Sequence, residues 1–97
     1  MVYEKRLNTK AELGEELRTL DFDAGIRVLG TYEGVPCFIF ITKAGESFIA
    51  AVYARKRSAS GSEVPERRLM LKDYKEIGSL MGFVEERATE PLEAYSY

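Results

Sequence analysis

Between Ile26 and Arg57 the apolar residues follow a period of two, and two short breaks, Glu33-Gly34 and Ala44-Gly45, cut the run into three pieces. A period of two marks strands with two chemically distinct faces. A two-residue break containing glycine has the length of a tight hairpin, whose positive-φ positions glycine occupies without steric cost. The pattern predicts strands over 26–32, 35–43 and 46–57, joined as an antiparallel meander. Pro36, near a strand start, fits a first residue or an edge. Ser58-Ala59-Ser60-Gly61-Ser62 reads as a flexible loop tip, and residues 66–71 as a fourth strand.

Helical spacing flanks this block. Leu13, Leu17 and Leu20 form one stripe behind Thr9-Lys10-Ala11-Glu12, which has the spacing of a capping box, so a first helix is expected over 9–20. Asp73-Tyr74-Lys75-Glu76 repeats the capping signal. Tyr74, Ile77, Leu80, Met81 and Val84 follow at helical spacing, although Gly78 and Gly82 weaken that helix and Gly82 is a candidate end. The expected fold class is α+β: an N-terminal helix, an antiparallel meander of three to four strands and a C-terminal helix, αββββα. Residues 1–84 form the domain. Residues 85–97, acidic and containing Pro91, are expected to be a mobile tail.

Composition narrows the function classes. Ninety-seven residues leave room for one core, and 45% hydrophobic with 31% charged residues is a globular balance. No apolar run approaches the roughly 20 residues of a membrane span. The segment Met1–Arg6 has no signal-peptide core, so a cytoplasmic protein that does not engage membranes is expected. The single Cys37 rules out an internal disulfide and a multi-cysteine metal site. Histidine is absent, and with it histidine acid–base chemistry, serine triads and histidine metal ligands. No Gly-rich run precedes a helix in phosphate-binding fashion. Glu15-Glu16 and Glu85-Glu86 read as solubilising helix charges, and Cys37 as a small buried hydrophobe. No enzyme activity, cofactor or metal is expected.

The net charge of −2 hides an asymmetry. Residues 25–75 carry nine basic and five acidic side chains, whereas residues 76–97 carry one basic and five acidic. The basic middle is the part patterned as sheet. Gln is absent and Asn occurs once, at Asn8, in a chain rich in Glu, Arg and Lys, which is a thermophile tendency.

Hairpin register assigns the faces. If Tyr32 opposes Val35 and Lys43 opposes Glu46, then Leu29 lies opposite Phe38, Ile39 opposite Ala50, and Phe40 opposite Ile49. One face then collects Ile26, Val28, Cys37, Ile39, Ile41, Phe48, Ala50 and Val52, all apolar, and suits a packed helix. The other collects Arg27, Leu29, Phe38, Phe40, Ile49, Tyr53, Arg55 and Arg57. If Arg57 pairs with Arg67, then Arg67, Leu69 and Leu71 join it. Arg55-Lys56-Arg57 and Arg67-Arg68 would converge across the loop. A solvated face should not carry two Phe and an Ile, and a sealed core should not carry three Arg.

Three readings fit this second face. A helix over residues 73–84 covers the Phe side chains while the arginines snorkel at its rim. A second copy of the chain covers it, giving a homodimer. Or it is a nucleic-acid platform on which Phe38, Phe40 and Tyr53 stack unpaired bases while Arg27, Arg55, Arg57 and Arg67 hold phosphates.

A helix beside an antiparallel sheet with one aromatic and basic face, carried here by Phe38, Phe40, Tyr53, Arg55 and Arg57, resembles in layout the archaeal ThermoDBP group of single-stranded-DNA-binding proteins. The resemblance covers residues 9–71 and implies a sheet-lined cleft and an archaeal, thermophilic source. The expected function is single-stranded nucleic-acid binding, to DNA or RNA, by a chain that forms a homodimer. The alternative is a homodimeric protein-interaction or assembly module that binds no nucleic acid.

Overall fold

The computed structural model describes residues 4–97; Met1–Tyr3, the first half of the Met1–Arg6 segment expected to lack a signal-peptide core, lie outside the described residues. The element order is β1 (Lys5–Leu7), α1 (Lys10–Arg18), β2 (Gly25–Tyr32), β3 (Val35–Ala44), β4 (Ser47–Arg57), β5 (Glu63–Tyr74), α2 (Ile77–Arg87) and β6 (Ala94–Ser96). The fold is α+β, as the period change implies. Among the described residues, however, the sheet has six antiparallel strands rather than three to four, in the order β1-β6-β2-β3-β4-β5. The element order is βαββββαβ in place of αββββα.

The additional strands come from both chain ends. The segment expected to fray supplies β6, which pairs with β1 through Arg6 opposite Tyr95 and with β2 through Arg27 opposite Tyr95. Because β6 is antiparallel to both neighbours, β1 and β2 run parallel, with α1 as their crossover. By the same count β5 and β6 run parallel, with α2 as theirs. Such crossovers are right-handed in nearly all proteins. The second crossover starts on a strand pointing the opposite way and travels the opposite way across the sheet, so the same hand lays both helices on one face. Leu13 and Leu17 of α1 and Leu80 and Val84 of α2 join Ile26, Val28, Ile39, Ile41 and Val52 in a single core.

This arrangement corrects the first reading of the second face. The expected helix over residues 73–84 does not lie over Phe38 and Phe40. Asp73 and Tyr74 belong to β5, where Tyr74 opposes Phe48 and is buried, and α2 begins at Ile77 without a side-chain cap. A capping interaction is worth about 1 kcal/mol, less than burying an aromatic ring against a paired strand. Gly82 does not end the helix. At α1 the N-cap forms as expected, Thr9 Oγ1 accepting from the Glu12 amide at 3.1 Å, but the Glu12 carboxylate takes its hydrogen bond from the Thr9 hydroxyl, at 3.3 Å, in place of the backbone amide of a full capping box.

The first hairpin has the expected register, Tyr32 opposite Val35 and Leu29 opposite Phe38, with Glu33 and Gly34 both at positive φ. The second turns at Gly45-Glu46, not Ala44-Gly45. Lys43 opposes Phe48, Ile39 opposes Val52 and Phe40 opposes Ala51. The register differs from expectation by two residues, which preserves every face assignment. The third hairpin does not pair Arg57 with Arg67. Arg57 opposes Glu63, and two irregularities follow along β5, the first leaving Glu66 and Arg67 against Ala54 alone. The bulges change which β5 side chains share a face with β4. Among the described residues, no helix is long and apolar enough to cross a membrane.

Candidate functional site

The helix-free face is crossed by one continuous row. Arg6 on β1, Tyr95 on β6, Arg27 on β2, Phe40 on β3, Ala51 on β4 and Leu71 on β5 are successive cross-strand partners. A neighbouring row runs Leu29, Phe38, Tyr53, Arg68. The strand pleat makes these rows: residues two apart point the same way, and antiparallel partners on one face meet side by side.

Within the rows cations and rings alternate. The guanidinium of Arg6 lies 5.2 Å from the centre of the Tyr95 ring and that of Arg27 lies 4.8 Å from it, so the ring sits between two cations. Arg27 is also 5.7 Å from Phe38. Phe38 and Phe40 are tilted at 5.7 Å, and Phe40 meets Tyr53 edge to face at the same distance. Such contacts contribute roughly 0.5–1.5 kcal/mol each when partly desolvated. Arg6 Nη1 donates to the Tyr95 hydroxyl at 3.0 Å, and that hydroxyl donates to Glu93 Oε2 at 3.3 Å.

The expected site residues are not equivalent. Phe40 and Tyr53 are half-buried and present ring surface. Phe38 is only 5% exposed. The sheet's own side chains, not a helix, seal it, and it acts as floor rather than platform. Arg27 and Arg55 lie on the face but are tied: Arg27 Nη2 meets Glu4 at 3.0 Å, and Arg55 pairs with Glu63 and donates to the Gly30 carbonyl at 3.4 Å. Arg57, exposed, donates to the Gly61 carbonyl near the hairpin tip at 3.3 Å. Arg67 is not with them. Its side chain is 66% exposed at the bulge and its ion-pair partner is the adjacent Glu66; Arg68 takes the place opposite Tyr53.

Arg6, Tyr95, Tyr97, Glu4 and Glu93 were not foreseen. Ala94-Tyr95-Ser96-Tyr97 does alternate, but three or four residues next to a proline-containing acidic segment carry little periodic signal. Tyr97 exchanges backbone hydrogen bonds with Gly25 and its ring packs where a Gly25 Cβ would stand. Burial pushes the Tyr97 hydroxyl above the ordinary tyrosine range, with Arg27 opposing and Glu4 adding to the rise. Cys37 lies in the core on the opposite face, where burial raises its thiol, partly offset by Arg55 and Arg87. Among the described residues, no cluster of three or more His, Cys, Asp or Glu side chains could hold a metal ion.

The face therefore offers half-buried rings flanked by guanidinium groups, with carboxylates bringing its charge close to balance. No family model matches the chain, and no curated protein or solved structure matches it.

Proposed function

We propose that the chain binds single-stranded nucleic acid on the open face of its sheet and acts by binding rather than by catalysis. The observation that carries this reading is the row Arg6–Tyr95–Arg27–Phe40, where guanidinium and aromatic groups alternate on neighbouring strands while both helices pack behind the sheet. Unpaired bases stack on aromatic rings and guanidinium planes, and duplex bases present no free faces to do so. Phe40, Tyr53 and Tyr95 are the stacking groups and Phe38 supports them. Arg27 and Arg55 flank the stack, and Arg57 meets phosphate. Glu4 and Glu63 neutralise two of these arginines, so affinity is modest and owes more to stacking than to charge.

The test is fluorescence anisotropy with labelled single-stranded DNA and RNA oligomers at low and raised salt. Wild type should bind both better than duplex. Phe40→Ala should weaken binding by about five- to a hundredfold, the value of one stacked base. Arg57→Ala should reduce the salt slope by about one phosphate contact. No binding at low salt, or a Phe40→Ala variant that binds like wild type, refutes the reading.

A second reading, a homodimer formed through the same face, is favoured by one observation. The central row ends at Leu71, 52% exposed on edge strand β5. It continues the partly exposed Ala51 and Phe40 of the same row, and a contiguous exposed apolar patch marks an interface. Light scattering at tens of micromolar protein should then give twice the 11.0 kDa chain mass; the monomer mass refutes it.

A further inference from the structure

Beyond Arg27 the open face is continued by Gly25 of β2 and its neighbour Tyr97. Each donates its amide to the carbonyl of the other at 2.9 Å, so the Tyr97 backbone is fixed beside β2. Gly25 stands two residues from Arg27, and a side chain there would project onto the open face. The Tyr97 ring takes that place: a Cβ on Gly25 would lie 2.7 Å from its Cζ, 2.7 Å from its Oη and 2.9 Å from its Cε2. These near-equal distances fix how the ring lies. A point in the plane of the ring, equally far from Cζ and Oη, would come much nearer to one Cε carbon than to either of them. The Gly25 position therefore meets the flat side of the ring near its hydroxyl end. One face of Tyr97 rests on the glycine and the opposite face is turned away from the sheet, with the residue 41% exposed. A strand glycine of this kind marks a place where another group must approach closely.

Between Tyr97 and Phe40 lies an open depression of about 460 Å³, lined also by Arg27 and Glu4, which are ion-paired at 3.0 Å. The volume falls within the roughly 300–1,000 Å³ of small-ligand sites. Register puts the rings in sequence. Tyr53 stands level with Phe38 and Leu29, Phe40 level with Arg27, and Tyr97 level with Gly25. From β4 through β3 to Tyr97 each ring is displaced by two residues along β2, and the three step diagonally across the sheet. Unpaired bases stack on exposed aromatic faces whatever their sequence, and Tyr97 holds such a face in a fixed position. We propose that Tyr97 is a further base-stacking residue and that the depression between it and Phe40 takes one nucleotide of a single strand. The inference rests on the single-strand reading of the open face and deepens it, by carrying the path of the strand from Tyr53 and Phe40 across β2 to Tyr97.

The test is anisotropy with a labelled thymidine oligomer. Tyr97→Leu, which keeps an apolar cover on Gly25 but has no ring, should weaken binding by about five- to a hundredfold, the value of one stacked base. Tyr97→Phe should bind within about twofold of wild type, because stacking needs the ring and not the hydroxyl. Gly25→Ala supplies a second perturbation that leaves Tyr97 in the chain. The new methyl group meets only the far end of the tyrosine side chain, so the ring swings off its seat while the strand stays paired. This variant should weaken binding in the wild-type background and change it by less than about twofold in Tyr97→Leu, the non-additivity of two changes acting through one group. Circular dichroism confirms that each variant is folded before it is compared. Wild-type affinity in Tyr97→Leu, an equal loss in Tyr97→Phe, or a Gly25→Ala loss that persists in Tyr97→Leu overturns the role of Tyr97 and leaves the open-face reading standing. A wild-type protein that binds no oligomer overturns both.

Discussion

Gly30 sits on the helix side of β2, where the end of α2 comes down onto the strand. A Cβ at this position would stand 2.3 Å from the Arg87 carbonyl oxygen and 2.9 Å from its carbonyl carbon. Ordinary contact begins near 3.4 Å, so the helix end must withdraw by roughly 1 Å. The obstacle is backbone, and that backbone is pinned. The Ala88 amide donates to Val84 at 2.8 Å, and the Thr89 amide donates to the Leu29 carbonyl at 3.0 Å. Overpacking of this kind costs about 1–3 kcal/mol. Removing glycine from a strand interior offsets about 0.5–1 kcal/mol of that. Gly30→Ala should therefore lose about 1–2 kcal/mol net, or about 5–15 °C in Tm for a domain of this size. The same substitution at Gly82, inside α2 with nothing outside its own helix backbone and chain neighbours within 4 Å of the new methyl group, should gain about 0.5–1 kcal/mol. Thermal and urea unfolding of both variants, read by circular dichroism, gives the comparison. A Gly30→Ala protein that melts at or above the wild-type temperature refutes the close seating of α2 on β2.

Further outcomes follow from the core, the cap and the titrating groups. Leu17→Ala, at a fully buried position of α1, should cost about 2–5 kcal/mol in urea unfolding. Thr9→Ala should cost about 1 kcal/mol through the lost N-cap. Burial raises Cys37, Tyr74 and Tyr97 above their ordinary values, so the folded state holds these protons more tightly than the unfolded chain. Their stabilisation is complete below the unfolded values, about 8.5 for Cys and 10 for Tyr. It is lost as pH rises from there through the folded values. Urea midpoints should fall above about pH 8.5, and Cys37→Ala should delay the onset. A thiol reagent should label Cys37 far faster in denaturant than in the native protein.

The meander was legible because glycine fixes where a chain can turn and period two fixes what each face contains. Phe38, Phe40, Tyr53, Arg27 and Arg55 came to one face on that basis, and a two-residue error at the second turn changed their partners without moving them. Arg67 was misplaced because a bulge leaves no mark in the apolar pattern. The larger error concerned the chain ends. Lys5-Arg6-Leu7 and Ala94-Tyr95-Ser96 are strands only because each completes the hydrogen bonding of the other and of β2. No local preference in three residues announces that. Without β6 there was no parallel partner for β5, hence no crossover to set the side on which α2 packs. Whether the aromatic face was open or covered was thus decided by the three least legible residues of the sheet.

The open face is the central claim, and NMR of side chains in the presence of a thymidine oligomer tests it most directly. Ring signals of Phe40, Tyr53 and Tyr95 should shift on titration and show contacts to base protons, while the methyl groups of Leu13, Leu17, Leu80 and Val84, behind the sheet, should stay in place. Shifts concentrated in the methyl groups of α1 and α2 with the three rings unmoved would contradict it.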